Sequence, residues 1–415
     1  MRARWPGCAA LVAAALAASG CAGSSGVSET TGNQLAIYSS LPLQGPSAAI
    51  SQQIVGGEKL ALAQAGGHVG PFKVGYASLD DANPADGNPS PSAVATDAKT
   101  AAQDTSTIAY LGDLSSAATA LSLPLINAAG ILQISPASPY IGLTSSLDAG
   151  QDEPGRFYPS GLRTFVRLQP GDAVQAAAQA QLMRSLGVRS VYVIDDQDPF
   201  EVPLATLAAS DATKAGIVVA AHDSIATPAG AIFTGEVEKI HASGAQAVLF
   251  AGGGGPGAVA LWRALHAAAP HLLLLGTSAM TGEAFTSQIG EAAASTYLTT
   301  PILPASLYPP GAQRVLAAYS SRFGAEAGPY VLYGYEAMSS VLAAIRAAGT
   351  HGNDRRRVID AFFKIRNRAS VLGRYSVAAS GDTTLSRYAV DRVRAGKAVF
   401  DHAFELAGAP AVPVG

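Results

Sequence analysis

The chain of 415 residues contains only two cysteines, Cys8 and Cys21. Cys8 lies in the apolar N-terminal segment that we expect to be removed, so the mature chain keeps one thiol and forms no internal disulfide. The cysteines and histidines do not cluster, and the zinc-binding pattern H-E-x-x-H does not occur. The sequence therefore predicts a domain that depends on its apolar core for stability and has no metal or other cofactor.

Positive charge is scarce as well. The chain has 27 lysines and arginines against 30 acidic residues, a formal net charge of -3, and its only dense basic run is Arg355 to Arg357. Proteins that bind nucleic acid present a broad basic surface, so we predict no nucleic-acid partner. Hydrophobic residues make up 48% of the chain, yet no second long apolar stretch follows the N-terminal one. This composition predicts a soluble, helix-rich globular protein. We expect it to act as a monomer.

Residues 1–21 have the pattern of an export signal. Arg2 and Arg4 precede an apolar run over residues 9–18. A membrane-spanning helix needs roughly 20 apolar residues, so this run is too short to be a permanent anchor. The pattern predicts that the protein works outside the cytoplasm.

Small residues lead directly to Cys21 in the sequence Ala18-Ser19-Gly20-Cys21. This resembles a bacterial lipobox, although Ala18 replaces the usual leucine. The resemblance implies that Cys21 is lipidated and holds the protein on the cell membrane. An exported protein with an unpaired Cys21 thiol is the alternative. Residues 22–33 are small and polar, which is typical of a flexible tether.

Short apolar runs alternate with alanine-rich amphipathic stretches along the mature chain. Such alternation is typical of strand-helix units around parallel sheets, and a chain of this length is expected to divide into two lobes. We therefore predict an α/β fold of two Rossmann-like lobes with parallel-rich sheets. The nine predicted strands are 35–38, 72–79, 108–111, 131–134, 190–194, 217–221, 247–251, 272–275 and 297–300. Three helical stretches are expected over 310–366, a hairpin over 385–405, and a helix over 282–290.

Two loops that follow predicted strands carry candidate ligand-binding groups. Ser115 and Ser116 precede a predicted helix, whose free first-turn amides could bind an anionic group, although simple helix capping is an equally good interpretation. The loop after residue 134 contains two prolines, which stiffen it and could fix its carbonyls and the Ser138 hydroxyl toward a ligand. In open parallel sheets, ligands bind beyond the carboxyl ends of the strands.

The segment Gly252 to Gly257 satisfies the dinucleotide-binding pattern G-x-G-x-x-G after a predicted strand. The next predicted strand ends in Gly276-Thr277-Ser278, without the acidic residue that a ribose hydroxyl requires. We therefore favour a glycine-rich turn at which the backbone approaches a ligand or the other lobe. An exported oxidoreductase that binds a nicotinamide cofactor here is the alternative.

Four segments together resemble the type I periplasmic binding proteins, specifically the leucine/isoleucine/valine-binding family that serves ABC importers. They are Leu41 to Pro46, Asp80-Asp81, Gly112 to Ala120, and Gly130 to Pro136. The resemblance covers nearly the whole mature chain. It implies a non-enzymatic solute-binding protein that encloses a small ligand by closure of a three-crossover hinge and delivers it to an ABC permease. A ligand-sensing module of the same fold is a further alternative.

The resemblance also implies how the chain divides between the lobes. The first lobe is expected over 34–167 and 302–372, and the second over 168–301 and 373–408. Residues 409–415 form a C-terminal tail. We expect the first passage between lobes around residues 163–171, where Asp172 is predicted to cap the following helix.

The same resemblance implies contacts to the ligand, with a serine for a carboxylate at Ser116 and a carbonyl for an ammonium at Ala137. The positions expected to bind ligand are Gln44, Ile50, Ser115, Ser116, Ala137, Ser138, Phe200, Gly254 and Ser278.

Two of these positions depart from the amino-acid-binding pattern. Pro139 stands where the family has a threonine, and Ser278 where it has the glutamate that neutralises the ammonium. A buried ammonium without a carboxylate partner would be poorly compensated. The substitutions therefore predict a small acid or amide that lacks an ammonium. Glu283 is an alternative source of the missing charge.

Overall fold

The computed structural model describes residue 30 and residues 32–406. Residues 34–167 form a six-stranded sheet in the order β2-β3-β1-β4-β5-β6. All neighbours in this sheet are parallel except β2 and β3. The elements are β1 (Gln34–Leu41), α1 (Ala48–Gln64), β2 (His68–Val69), β3 (Phe72–Asp80), α2 (Pro91–Gln103), β4 (Thr107–Leu111), α3 (Ser116–Ala128), β5 (Leu132–Ser135) and β6 (Phe165–Arg167).

The next stretch supplies most of a second sheet, which has seven strands. The elements are α4 (Asp172–Ser185), β7 (Ser190–Asp195), α5 (Val202–Lys214), β8 (Val218–Ser224), α6 (Thr234–Ala242), β9 (Ala247–Ala251), α7 (Pro256–Ala268), β10 (Leu273–Gly276), α8 (Glu283–Thr286) and β11 (Thr296–Thr300). All five residues of β9 are buried. A parallel strand covered by helices on both faces favours such an unbroken apolar run.

The remainder of the chain contributes elements to both sheets. Its elements are α9 (Pro310–Phe323), α10 (Tyr330–Ala347), α11 (Arg355–Phe363), β12 (Arg368–Ser370), β13 (Gly373–Tyr375), β14 (Arg387–Arg394) and β15 (Lys397–Glu405). The helices pack on the first sheet, whereas β14 and β15 add antiparallel strands beside β11, in the order β15-β14-β11-β10-β9-β7-β8. The chain therefore passes between the sheets after β6, after β11 and after β13.

Helices α1 and α10 approach each other closely at glycines. A Cβ atom at Gly334 would lie 2.6 Å from the carbonyl carbon of Ile54, and one at Gly57 would lie 2.7 Å from the backbone nitrogen of Tyr335. Both distances are too short for a real contact. Glycine is therefore required on both helices at this crossing, which holds α10 against the first sheet.

The α/β prediction of two parallel-rich sheets is confirmed, and each of the nine predicted strands overlaps an observed one. The helix expected over 282–290 is wrong in extent. Regular α-helix covers only Glu283–Thr286, and a separate 3-10 turn covers Gly290–Ser295. Gly290 adopts a φ of 58°, a left-handed conformation that interrupts a regular helix.

The expected lobe boundary at residue 373 needs a shift. β13 pairs with β12, and Tyr375 and Val377 are buried in the core of the first sheet. We place the third passage after Val377 because the chain still contributes to the first core at that point. The remaining lobe limits stay predictions, and the signal, most of the tether and the C-terminal tail lie outside the described residues.

Candidate functional site

A cleft of about 480 Å³ lies where loops at the carboxyl ends of strands from both sheets face each other. Its walls come from the N-terminal ends of α1, α3, α4, α5 and α10 and from the segments after β5, β10 and β11. Helix N-termini carry amides without intrahelical partners, so several donors converge on this space. The arrangement suits a small polar molecule enclosed between two sheets.

Six of the nine positions predicted to contact ligand line this cleft. They are Ile50, Ser115, Ser116, Ala137, Phe200 and Ser278. The phenyl ring of Phe200 packs edge-on against the Tyr140 ring, with 5.0 Å between ring centroids. This contact joins the turn before α5 to the segment after β5, so one wall of the cleft already bridges the two sheets.

The structure places the other three predicted positions elsewhere. Gln44 is exposed, and its Nε2 donates to Asp80 Oδ2 at 2.7 Å. Ser138 is fully buried, with its hydroxyl 2.7 Å from Thr119 Oγ1. Gly254 packs toward Phe285, whose Cβ would lie 2.8 Å from a Cβ at the glycine. These three residues do not line the cleft, and each contacts another protein group, so their contact with a ligand stays a prediction.

The N-terminus of α3 presents donors to the cleft. Ser115 Oγ accepts a hydrogen bond from the Ala118 amide at 3.2 Å, which makes Ser115 the capping residue of α3. Ser116 Oγ accepts one from the Tyr140 amide at 3.2 Å. Both hydroxyls keep their protons for donation, and the first-turn amides of Ser116 and Ala117 have no partner within a helix. Capping and anion binding are therefore compatible here.

Two acidic side chains in the cleft were missed as ligand-binding candidates. Asp172 is 2% exposed and accepts a hydrogen bond from the Ile141 amide at 3.0 Å. Gly171 occupies the capping position of α4, so the prediction that Asp172 caps this helix is wrong. Glu201 directly precedes α5, and its Oε2 is buried without a hydrogen-bond partner. An acidic residue at a helix start is ordinary in a sequence, so neither residue gave a signal.

Burial and like charge govern both carboxyls. Burial raises the pKa of Asp172 to about 7, although Arg167 opposes the shift. Burial, followed by the charges of Asp172, Asp196 and Asp198, raises the pKa of Glu201 to about 8. Among the described residues, neither carboxyl therefore has a complete set of stabilising partners.

Behind Ser278, which lines the cleft, lies a neutral hydrogen-bond network. Ser278 Oγ donates to Gln175 Oε1 at 3.3 Å, and the Tyr388 hydroxyl donates to the same oxygen at 3.1 Å. Glu283, the alternative source of negative charge near Ser278, is instead 69% exposed and pairs with Lys397 at 3.2 Å. Glu283 therefore does not supply the charge that Ser278 lacks.

Protein groups approach the glycine loop before α7 at several of its residues. Asp196 Oδ2 accepts a hydrogen bond from the Gly253 amide at 2.8 Å. A Cβ at Gly257 would lie 2.6 Å from the Pro228 carbonyl oxygen, so another loop covers the start of the helix. A dinucleotide would bring its negatively charged pyrophosphate to the amides that this carboxylate faces. The loop is a glycine-rich turn beside the second sheet that contacts other protein segments at Gly252, Gly254 and Gly257, whereas Gly253 and Gly255 are exposed.

Comparison with known proteins agrees with this geometry. A family profile described as periplasmic binding protein matches residues 39–398. The chain belongs to this family. Members are solute-binding proteins of ABC transporters and are not enzymes, so the oxidoreductase alternative is wrong.

No curated protein sequence matches the chain. Among the described residues, no helix has both the length and the apolar character needed to span a membrane.

Solved structures of this fold cover the chain almost completely. A leucine-binding protein, LivK, from Thermotoga maritima is 20% identical, covers 89% of this chain and 99% of its own, and has a TM-score of 0.72. LivJ from Streptococcus pneumoniae, in complex with isoleucine, is 18% identical, with 90% and 99% covered and a TM-score of 0.68. A solute-binding protein from R. palustris, in complex with benzoate, is 16% identical, with 92% and 98% covered and a TM-score of 0.67. These similarities establish the periplasmic binding protein type I fold.

Proposed function

We propose that the protein is the extracytoplasmic solute-binding component of a branched-chain amino acid-type ABC importer and binds a small polar ligand in the cleft. The observation that carries the proposal is the shared construction of the cleft, whose walls come from loops of both sheets. A ligand that contacts both walls favours the closed arrangement over an open one by its differential affinity. Hinge closure then presents a ligand-dependent surface to the permease.

The names of the similar structures mention leucine, isoleucine and benzoate, which differ in charge and shape. The fold alone therefore leaves the ligand open, and the cleft residues of this chain must decide it. A thermal-shift screen of the purified protein against amino acids, small carboxylates, amides and sugars tests the proposal, with NAD as control. Ligand at 100 times its Kd adds about 2.7 kcal/mol to the free energy of unfolding, which raises the Tm. A shift with NAD alone, or with none of these solutes, would contradict it.

We also propose that a lipid on Cys21 holds the protein at the membrane as a monomer. The support is the sequence pattern before Cys21. Replacement of Cys21 by serine is expected to release the protein into the soluble fraction, and retention of the Cys21→Ser variant on membranes would count against the anchor. Copurification with a permease is expected, whereas copurification with a receptor instead would favour the ligand-sensing alternative.

A further inference from the structure

Among the described residues, the cleft is lined by acidic side chains without a lysine, arginine or histidine beside them. These acidic side chains are Asp172, Asp198 and Glu201. Asp198 Oδ1 accepts a hydrogen bond from the Phe200 amide at 2.8 Å. Asp198 is also exposed, whereas Asp172 is buried and the half-buried Glu201 has one buried carboxyl oxygen, Oε2.

Arg167 is the cation that lowers the pKa of Asp172, yet four of its five N–H donors are already used by other groups. Its Nε pairs with Asp382 Oδ1 at 2.7 Å. Its Nη1 donates to the carbonyls of Ser138 and Tyr140 at 2.9 and 2.8 Å, and its Nη2 donates to a hydroxyl. This guanidinium binds groups where the chain passes between the sheets, and no hydrogen bond joins it to Glu201 among the described contacts.

The position of Glu201 is fixed by its surroundings. Its amide donates to the Asp198 carbonyl at 2.9 Å, and its carbonyl accepts the Ala205 amide at 3.0 Å. The preceding Phe200 packs against Tyr140. The carboxyl is held in the wall of the cleft, with a buried oxygen that has no hydrogen-bond donor. An uncompensated buried carboxyl is unfavourable, so a group that binds there and donates hydrogen bonds removes this cost.

We infer that the cleft selects a ligand with a protonated amine and that Glu201, assisted by Asp172, receives that amine. This inference rests on the proposed function, since it names the class of ligand for the same cleft. It reverses the expectation drawn from Ser278 and Pro139, because the counter-charge enters from the starts of α4 and α5 instead. The amides at the start of α3 can donate hydrogen bonds to a carboxylate on the same ligand, so a zwitterion fits as well as a simple amine.

The test compares probes with and without an amine. Leucine is paired with 4-methylpentanoate, which lacks only the amine, and with 3-methylbutylamine, which lacks only the carboxylate. Benzylamine is compared with benzoate, in which a carboxylate replaces the aminomethyl group. Isothermal titration calorimetry measures the Kd of each probe for the wild type, Glu201→Gln and Asp172→Asn. Glu238→Gln is the matched control, because Glu238 is an exposed glutamate on α6. Thermal unfolding of each ligand-free variant reports whether a substitution damages the fold.

At least one amine-bearing probe is expected to bind the wild type tenfold or more tightly than its amine-free partner. Glu201→Gln is expected to weaken that probe at least tenfold without lowering the Tm of the empty protein, whereas Glu238→Gln leaves the Kd within twofold. Tighter binding of 4-methylpentanoate or benzoate, or full affinity in Glu201→Gln, would overturn the inference and leave the proposed function intact. If no probe binds and the wider solute screen also fails, both are overturned.

Discussion

Replacement of Arg167 is expected to destabilise the protein more than any exposed charge replacement. Arg167 is 1% exposed at the end of β6. It pairs with Asp382, donates to the carbonyls of Ser138 and Tyr140, and reaches Thr144. One side chain thus joins the end of the first sheet to the segment after β5 and to the third passage between sheets.

The magnitude follows from these contacts. Removal of one partner of a buried ion pair typically costs about 3 to 5 kcal/mol. The Asp382 side chain is 22% exposed and can regain some hydration, so its share lies at the lower end of that range. The two carbonyls that lose their donor add about 1 kcal/mol each. Burial of the methionine side chain offsets part of this cost, and we expect Arg167→Met to lower the free energy of unfolding by about 4 kcal/mol.

Urea denaturation monitored by Trp262 fluorescence and far-UV circular dichroism measures the change. Trp262 is fully buried, so its emission reports unfolding of the second sheet. Arg167→Lys keeps the charge but loses the planar fork, and it is expected to recover only part of the stability. Arg314→Met, an exposed site on α9, is the control and should stay within about 0.5 kcal/mol of wild type. A loss below about 1 kcal/mol in Arg167→Met would refute the reasoning.

Gly334→Ala is expected to destabilise the protein by about 1 to 3 kcal/mol, because the new methyl group would overlap Ile54 across the α1–α10 crossing. Gly311→Ala on α9 has room for the methyl group and should instead add up to about 1 kcal/mol, so equal effects in a denaturation assay would contradict this packing. Burial raises the pKa of Glu58 and of Glu201 to about 8, so the folded state binds more protons than the unfolded state between about pH 4.5 and 8. The Tm of the empty protein is therefore expected to fall from pH 6 to pH 8.5, and a rising Tm would contradict the assigned burial.

Much of the fold could be predicted because its signals are local. The buried parallel strands β7 and β9 appear in the sequence as apolar runs of the right length. β2 and β6 were missed, since strands of two and three residues carry no detectable alternation. Their pairing depends on neighbouring strands that are distant in sequence.

The candidate site was predicted less completely. Ser115 and Ser116 were found because a helix start has a local signature, and both line the cleft. Gly254 was chosen by its position relative to the family pattern. In the structure its loop is held by Asp196 and packs toward Phe285, so the same spacing leads to a different place.

Glu201 shows why the charge of the cleft was not evident from sequence. Between Asp198 and Val202 it has the appearance of an ordinary acidic residue at the exposed start of a helix. Tyr140, about sixty positions earlier, folds onto the second core and packs against Phe200, which places Glu201 in a shared wall. Burial by a distant segment therefore gives a common surface carboxyl a raised pKa and leaves its Oε2 without a hydrogen-bond partner. The ligand class that we infer therefore depends on the contact between Tyr140 and Phe200. The sequence around either residue alone does not reveal this contact.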